Sequence, residues 1–223
     1  MNLKKRIWII NQFACTPDMP GGSRHHEIAS FLVKKGIKVD IFASDYNLSK
    51  RKFLRLNDAE FVKTEINEGV NWYWLRTFPY KINNWKRYLN LLSFCLSFFS
   101  FNLYKLIICL KNNYLPDLII GSSPQIISSF CGLMFAKVFK KPFIFEVRDL
   151  WPQVLVDLGG LDKKNILIRI LSLIEILLYK NSDCVVVLAK GVKNYVKKRG
   201  AKNIIWLPNG PDLKKFKYIN HSN

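Results

Sequence analysis

A chain of 223 residues that is 49% hydrophobic has enough length for one well-buried α/β domain, or two small ones, and too little polarity for disorder. Its 35 Lys and Arg against 16 Asp and Glu leave a net charge of +19, which favours polyanions: nucleic acid, an anionic membrane leaflet or phosphorylated substrates. The five cysteines are scattered, with no C-x-x-C pair and no His/Cys cluster at metal-ligand spacing, so reduced, mostly buried thiols in a cytosolic protein are favoured over zinc or disulfides. Basic Met1–Arg6 precedes too short an apolar stretch for a secretory signal.

Arg6–Phe13 is a compact apolar run that reads as a buried strand. A loop with Pro17, Pro20, Gly21 and Gly22 follows. Ser23 then stands where it can cap a helix with apolar positions at Ile28, Ala29, Phe31, Leu32 and Val33, ending at Gly36. Lys38–Ala43 is a second strand, completing a βαβ pattern. Residues 45–69 are polar and poorly periodic and predict a long surface loop; Val70–Arg76 is strand-like.

Leu89–Leu110 is long enough to span a bilayer, with Lys105 its only charge, but Asn90, Ser93, Ser97, Ser100 and Asn102 interrupt it. A buried helix of the domain and a surface helix dipping into the membrane rank together, ahead of a true span. Trp85, Lys86, Arg87 and Tyr88 suit a membrane interface.

The alternation then resumes. Asp117–Ser122 is a strand, Ile126–Phe139 a helix, Phe143–Val147 a strand, and Ile166–Tyr179 a helix. Cys184–Leu188 is a strand, Val192–Lys198 a helix, and Ile204–Leu207 a last strand stopped by Pro208-Asn209-Gly210. This order predicts an α/β fold with a doubly wound, mostly parallel, Rossmann-like sheet over 1–210 and a frayed tail at 211–223.

Ligands of such sheets bind beyond the carboxyl ends of the strands. Gly21-Gly22-Ser23-Arg24-His25 places paired glycines before a helix, where backbone N–H groups suit a phosphate or sugar hydroxyls; a flexible turn is an equal alternative. The spacing is neither a dinucleotide fingerprint nor a Walker loop. Gly121-Ser122-Ser123-Pro124 is a small-residue turn after a strand. Glu146-Val147-Arg148-Asp149 puts three ionisable residues at a strand end, with Glu146 and Arg148 directed to one face and Asp149 beyond it. Such a cluster can position a hydroxyl and balance phosphate charge, or merely form ion pairs. Leu207-Pro208-Asn209-Gly210 marks a boundary.

Together these motifs resemble the family-4 type of GT-B glycosyltransferases, in the branch that builds bacterial surface polysaccharides such as O-antigen and capsule, near transferases of amino-deoxy sugars. Phe145-Glu146-Val147-Arg148-Asp149-Leu150-Trp151-Pro152 carries most of the likeness. The resemblance implies two Rossmann-like halves facing a cleft, this chain being the N-terminal, acceptor-side half. It implies retaining, metal-independent transfer, with no cofactor and a nucleotide sugar, UDP-linked, as donor. By position, Gly21 and Gly22 lie near the donor diphosphate, and Arg24 and His25 face the cleft. Ser122, Ser123 and Asn209 join them in binding substrate. Glu146, Arg148 and Asp149 are the catalytic candidates on the acceptor side.

Family members continue past the Asn-Gly-x-Asp turn into a donor-binding domain with a Glu-x7-Glu element, which this chain lacks. Without it the chain is expected to transfer no sugar by itself, since positioning supplies much of such a rate acceleration. An interrupted gene, a split enzyme with a separate donor-binding domain, and a shortened piece all stay open.

The implied acceptor is a lipid-linked saccharide, which favours a cytoplasmic protein held peripherally on the inner face of the cell membrane. Lys190, Lys193, Lys197, Lys198, Arg199 and Lys202 could meet an anionic membrane surface, or form a solvated lysine-rich face. Three other classes match parts of the sequence. A non-catalytic interaction module at the membrane fits the missing half. A nucleic-acid binder fits the charge but lacks any binding motif, so no specific nucleic acid is expected. A nicotinamide oxidoreductase, with Asp45 as ribose ligand, fails on glycine spacing.

Overall fold

A computed structural model describes residues 5–19, 21–47, 49–82, 85–108, 114–158, 160 and 162–210. The predicted tail at 211–223 lies outside them, as do Cys109 and Leu110 at the end of the apolar stretch.

Residues Ile7, Trp8, Ile9 and Ile10 make the first strand apolar on both faces, as a central parallel strand requires. This strand, β1 (Arg6–Ile10), pairs on one side with β2 (Lys38–Ser44) and on the other with β7 (Leu118–Ser122), both parallel. Beyond β2 come β6 (Val70–Leu75) and β5 (Val62–Asn67). Beyond β7 come β8 (Phe143–Val147), β9 (Cys184–Val187) and β10 (Ile204–Trp206). Every pairing in this eight-stranded sheet is parallel except β5 against β6. The predicted doubly wound, mostly parallel sheet is the one observed. The first strand stops three residues earlier than expected: the Asn11 N–H and the Gln12 carbonyl still bond β2, but the chain turns at Gln12–Phe13.

The expected loop at 45–69 is partly strand. Tyr46–Asn47 (β3) pairs with Lys52–Phe53 (β4), and β5 forms a hairpin with β6. Its two turn residues, Glu68 and Gly69, both have positive φ, at 48° and 79°, the geometry of a two-residue hairpin turn. As an edge strand, β5 leaves Lys63, Thr64 and Ile66 exposed, so no apolar run marks it. Asp45 is a structural anchor: its Oδ2 accepts from the N–H groups of Leu54, Arg55 and Leu56 at 3.0, 2.8 and 2.8 Å.

Helix α1 (Arg24–Lys34) covers one face of the sheet, over Ile9, Ile41, Trp72 and Trp74. On the other face lie α2 (Lys86–Ile108), α3 (Ile126–Val138), α5 (Ile166–Asn181) and the short α6 (Lys193–Lys198), over Trp8, Phe42, Phe143 and Phe145. A single turn of helix, α4 (Gln153–Asp157), follows β8. Gly121 and Gly132 let α3 come close to β7 and its neighbours. A Cβ on Gly121 would stand 3.0 Å from the Ser129 backbone, and one on Gly132 would stand 2.8 Å from Ile10 Cδ1.

Helix α2 is an element of this domain with one face on the sheet. Phe94 and Phe98 are fully buried, Phe98 edge-on to Trp8 and Phe42. The polar residues that interrupt the apolar stretch dock it. Asn90 Oδ1 accepts from Gln12 Nε2 at 2.7 Å, Ser97 Oγ donates to the Arg76 carbonyl at 2.6 Å, and Asn102 Oδ1 accepts from the Tyr114 hydroxyl at 2.8 Å. Its opposite face is solvent-exposed.

Candidate functional site

The chain leaves β1 toward β2 on one side and enters β7 on the other, so the carboxyl ends of β1 and β7 form the switch point where ligands of such sheets bind. Three predicted motifs meet there: the 21–25 turn, the Ser122-Ser123 turn and the 146–149 strand end. The turn after β10 joins them.

Glu146 is the centre of the arrangement. Its Oε1 accepts from Arg24 Nε at 2.8 Å, and its Oε2 accepts from His25 Nε2 and Ser122 Oγ, both at 2.7 Å. Arg24 reaches on to the carbonyls of Leu207 and Pro208 at 3.0 and 3.1 Å and to Asn209 Oδ1 at 3.0 Å. One carboxylate therefore ties the start of α1 to the ends of β7 and β8, and through Arg24 to the turn after β10.

The hydrogen-bonding roles of the two His25 ring nitrogens follow from their neighbours. Phe13 N–H donates to Asn11 Oδ1 at 3.0 Å, which turns Asn11 Nδ2 toward His25 Nδ1, also at 3.0 Å. An amide nitrogen only donates, so Nδ1 accepts and Nε2 carries the proton given to Glu146. Burial by itself raises the Glu146 pKa. The His25 hydrogen bond, then those of Arg24 and Ser122, override it and hold the carboxyl well below the usual carboxylate range.

His25, Ser122 and Ser123 are almost wholly buried with partners inside the protein, so they hold the site together without lining it. His25 was expected to face the cleft; its place on the inner side of α1 turns it toward Glu146 instead. Ser123 Oγ accepts from the N–H groups of Arg148 and Asp149 at 2.7 and 3.1 Å and shapes that loop. Ser23 precedes α1 as predicted, but its hydroxyl donates to Glu27 Oε1 at 2.9 Å and caps no backbone N–H.

The residues that do line a groove are Gly22, Arg24, Glu27, Arg148, Asn209 and Gly210, around a volume of roughly 380 Å³. Gly21 has φ 145°, and a Cβ there would stand 2.7 Å from Cys15 Sγ; a Cβ on Gly22 would meet Arg148 Nη2 at 3.4 Å. Gly21 thus lets the loop lie against Cys15, and the Gly22 backbone runs beside the arginine. Among the described residues the Arg148 guanidinium has no hydrogen-bonded or ion-paired partner, whereas Arg24 is neutralised by Glu146. Asp149 is exposed and stands outside the lining of this groove.

A second pocket of about 240 Å³ lies beside it, between Gln12, Cys15, Met19, Gly21 and Tyr46. Beyond Phe13, an apolar slot of about 70 Å³ opens between Trp151, Leu155, Leu167 and Leu171. Arg87 stands at that slot, 6.0 Å from the Trp151 ring centroid. Asn11 and Gln12 escaped sequence reasoning as site residues, although two amides closing an apolar strand were a usable signal. Among the described residues no three His, Cys, Asp or Glu side chains are grouped to hold a metal ion.

No protein-family model and no curated protein matches the chain. Solved structures do. Sucrose-phosphate synthase from Thermosynechococcus elongatus superposes with a TM-score of 0.65 at 17% identity, over 95% of this chain and 49% of that one. The chain resembles one half of that enzyme in fold. A second structure of the same synthase, comprising part of it, gives 0.58 at 16% identity over 93% of this chain and 91% of that piece. HepE from Anabaena, solved in complex with UDP, gives 0.49 at 10% identity over 94% and 45%. The chain spans about half the length of the first synthase structure it matches.

Proposed function

We propose that the chain is the acceptor-side half of a nucleotide-sugar-dependent glycosyltransferase of the GT-B kind, working with a separate or continuing donor-binding domain. The observation that carries this is the Arg148 guanidinium, without a hydrogen-bonded or ion-paired partner among the described residues, beside the Gly22 backbone in an open groove at the switch point of the sheet. A planar fork of donors beside a close-approaching backbone suits the oxygens of a diphosphate. The fold likeness to half of a sucrose-phosphate synthase supports the same reading.

In this reading Arg148 meets the donor diphosphate, and Arg24 forms the adjoining wall with its charge already balanced. Glu146 is a positioning residue: both its oxygens are engaged, and it stays ionised across the working pH range. Asp149, exposed beyond the strand end, is the carboxylate free to meet an acceptor hydroxyl. The acceptor is a lipid-linked saccharide. The apolar slot between Trp151 and Leu167, with Arg87 at its edge, has the chemistry to take an isoprenoid-like chain and its phosphate. That acceptor would place the protein on the inner face of the cell membrane in surface-polysaccharide synthesis.

Titration of the chain with UDP or inorganic pyrophosphate, followed by NMR, tests the site. Shifts should centre on Gly22, Arg24 and Arg148, and Arg148→Ala should weaken binding roughly tenfold, the worth of one charge-assisted contact. Binding that is unchanged in Arg148→Ala, or absent, would overturn the assignment.

A further inference from the structure

Three neighbouring helices turn apolar side chains away from the sheet. On α2 the exposed residues Tyr88, Leu92, Leu96, Phe99, Leu103 and Ile107 recur every three or four positions, one continuous stripe. On α3, which packs between α2 and α5, Met134 and Val138 are exposed in the same helical register as half-buried Phe130. On α5 the stripe is Ile166, Ile170, Leu173 and Leu177. Apolar exposure repeated on three adjacent helices is more than scattered surface residues explain.

Charge marks what covers this face. Neither α2 nor α3 contains Asp or Glu, and the one acidic residue of α5, Glu175, is buried against Arg199 and Tyr179. Basic residues stand at both ends of the stripes. Lys86, Arg87, Lys163 and Lys164 lie at the carboxyl edge of the sheet, and Lys105, Lys137, Lys140, Lys141 and Lys180 lie at the opposite edge. Exposed Trp85 and Tyr104 flank the α2 stripe, the residue types that settle at headgroup level.

We propose that the outward face of α2, α3 and α5 docks on an anionic lipid bilayer, with the helices lying in the plane of the headgroups. The apolar centre enters the acyl boundary and the basic ends meet lipid phosphates. The apolar slot beside Trp151 opens at the carboxyl-edge end of the same face, between α3 and α5. The proposal deepens the membrane location in the function argued above, yet it requires no sugar transfer, so the two fail separately.

The test is co-sedimentation of the full chain with phosphatidylglycerol vesicles and with phosphatidylcholine vesicles, at low and high salt. Wild type should bind the anionic vesicles at least about tenfold more tightly than the neutral ones, less so in high salt. Leu96→Glu with Leu173→Glu should lose binding about tenfold or more. Phe31→Glu with Ile205→Glu, an equal charge change on the opposite side of the sheet, should stay within about twofold of wild type. All four positions are more than half exposed, so circular dichroism and melting should be unchanged in both variants. Equal binding by the Leu96/Leu173 variant and wild type would overturn the face while leaving a membrane location standing. No vesicle binding by wild type would overturn both, with UDP titration still deciding the nucleotide site. A wild-type dimer that the Leu96/Leu173 variant makes monomeric, without vesicle binding, would make the face a self-association surface and overturn the proposal.

Discussion

Replacing Glu146 with Gln should be among the most damaging single changes to stability in this chain. The carboxylate accepts three hydrogen bonds, from Arg24, His25 and Ser122, at 2.7 to 2.8 Å, in a site where its side chain is 5% exposed. A glutamine keeps one acceptor oxygen and turns an NH₂ group toward at least one of those donors. His25 cannot relieve the clash by moving its proton to Nδ1, because Asn11 Nδ2 already donates there. Breaking one partner out of a buried charged pair costs about 3–5 kcal/mol. Arg24 keeps three neutral acceptors beyond Glu146 and is 11% exposed, which places the loss near the lower end, about 3 kcal/mol. Against a total of about 5–15 kcal/mol, that is a large fraction. Urea unfolding at pH 7 should show the midpoint falling by about 1 M with the slope unchanged.

The gap should also depend on pH. Glu146 has a depressed pKa in the folded protein, so its stabilisation is present above the unfolded carboxylate value of about 4.3 and is lost as pH falls through the lower folded value. The gap between wild type and variant should therefore begin to narrow below about pH 4 and go on narrowing with further acidification. A difference under about 1 kcal/mol at pH 7, or one that persists unchanged in acid, would refute the account of Glu146 as an ionised anchor.

Glu175 should show the opposite trend. Burial raises its pKa despite Arg199 at 2.6 Å and the Tyr179 hydroxyl at 3.0 Å. Its favourable contribution is full below the unfolded value and declines as pH rises through the higher folded one, so Glu175→Gln should gain on wild type in melting temperature between pH 4 and pH 7. Parallel stability curves would count against it. Gly121→Ala should destabilise by about 1–3 kcal/mol through contact with Phe143 Cζ at 2.8 Å and the Ser129 backbone, read as a fall in melting temperature of several degrees. With a complementing donor domain present, Asp149→Asn should reduce transfer while leaving melting and UDP binding as in wild type; undiminished transfer would place the acceptor base elsewhere.

Much of the framework is legible in the chain itself. Central parallel strands are buried on both faces, so Ile7–Ile10, Leu118–Ile120 and Phe143–Phe145 stand out as apolar runs, and the helices between them show their own period. The edge strand Val62–Asn67 escaped for the converse reason, since half of it faces water and its charges mask the pattern. The site was legible as parts. Paired glycines, a serine turn and a charged strand end can each be named from local chemistry, because a loop that must approach a ligand closely needs small residues there.

Their roles were not legible. Glu146 lies 122 residues from Arg24 and 24 from Ser122, and only the strand order β8-β7-β1 makes them neighbours. The same order turns His25 inward, leaves the Arg148 guanidinium without a hydrogen-bonded or ion-paired partner among the described residues, and decides that α2 shows one apolar stripe to the sheet and another to solvent. Local periodicity is a property of adjacent residues and is written along the chain. Which carboxylate meets which arginine depends on contacts between distant segments, and those exist only once the sheet has set their order.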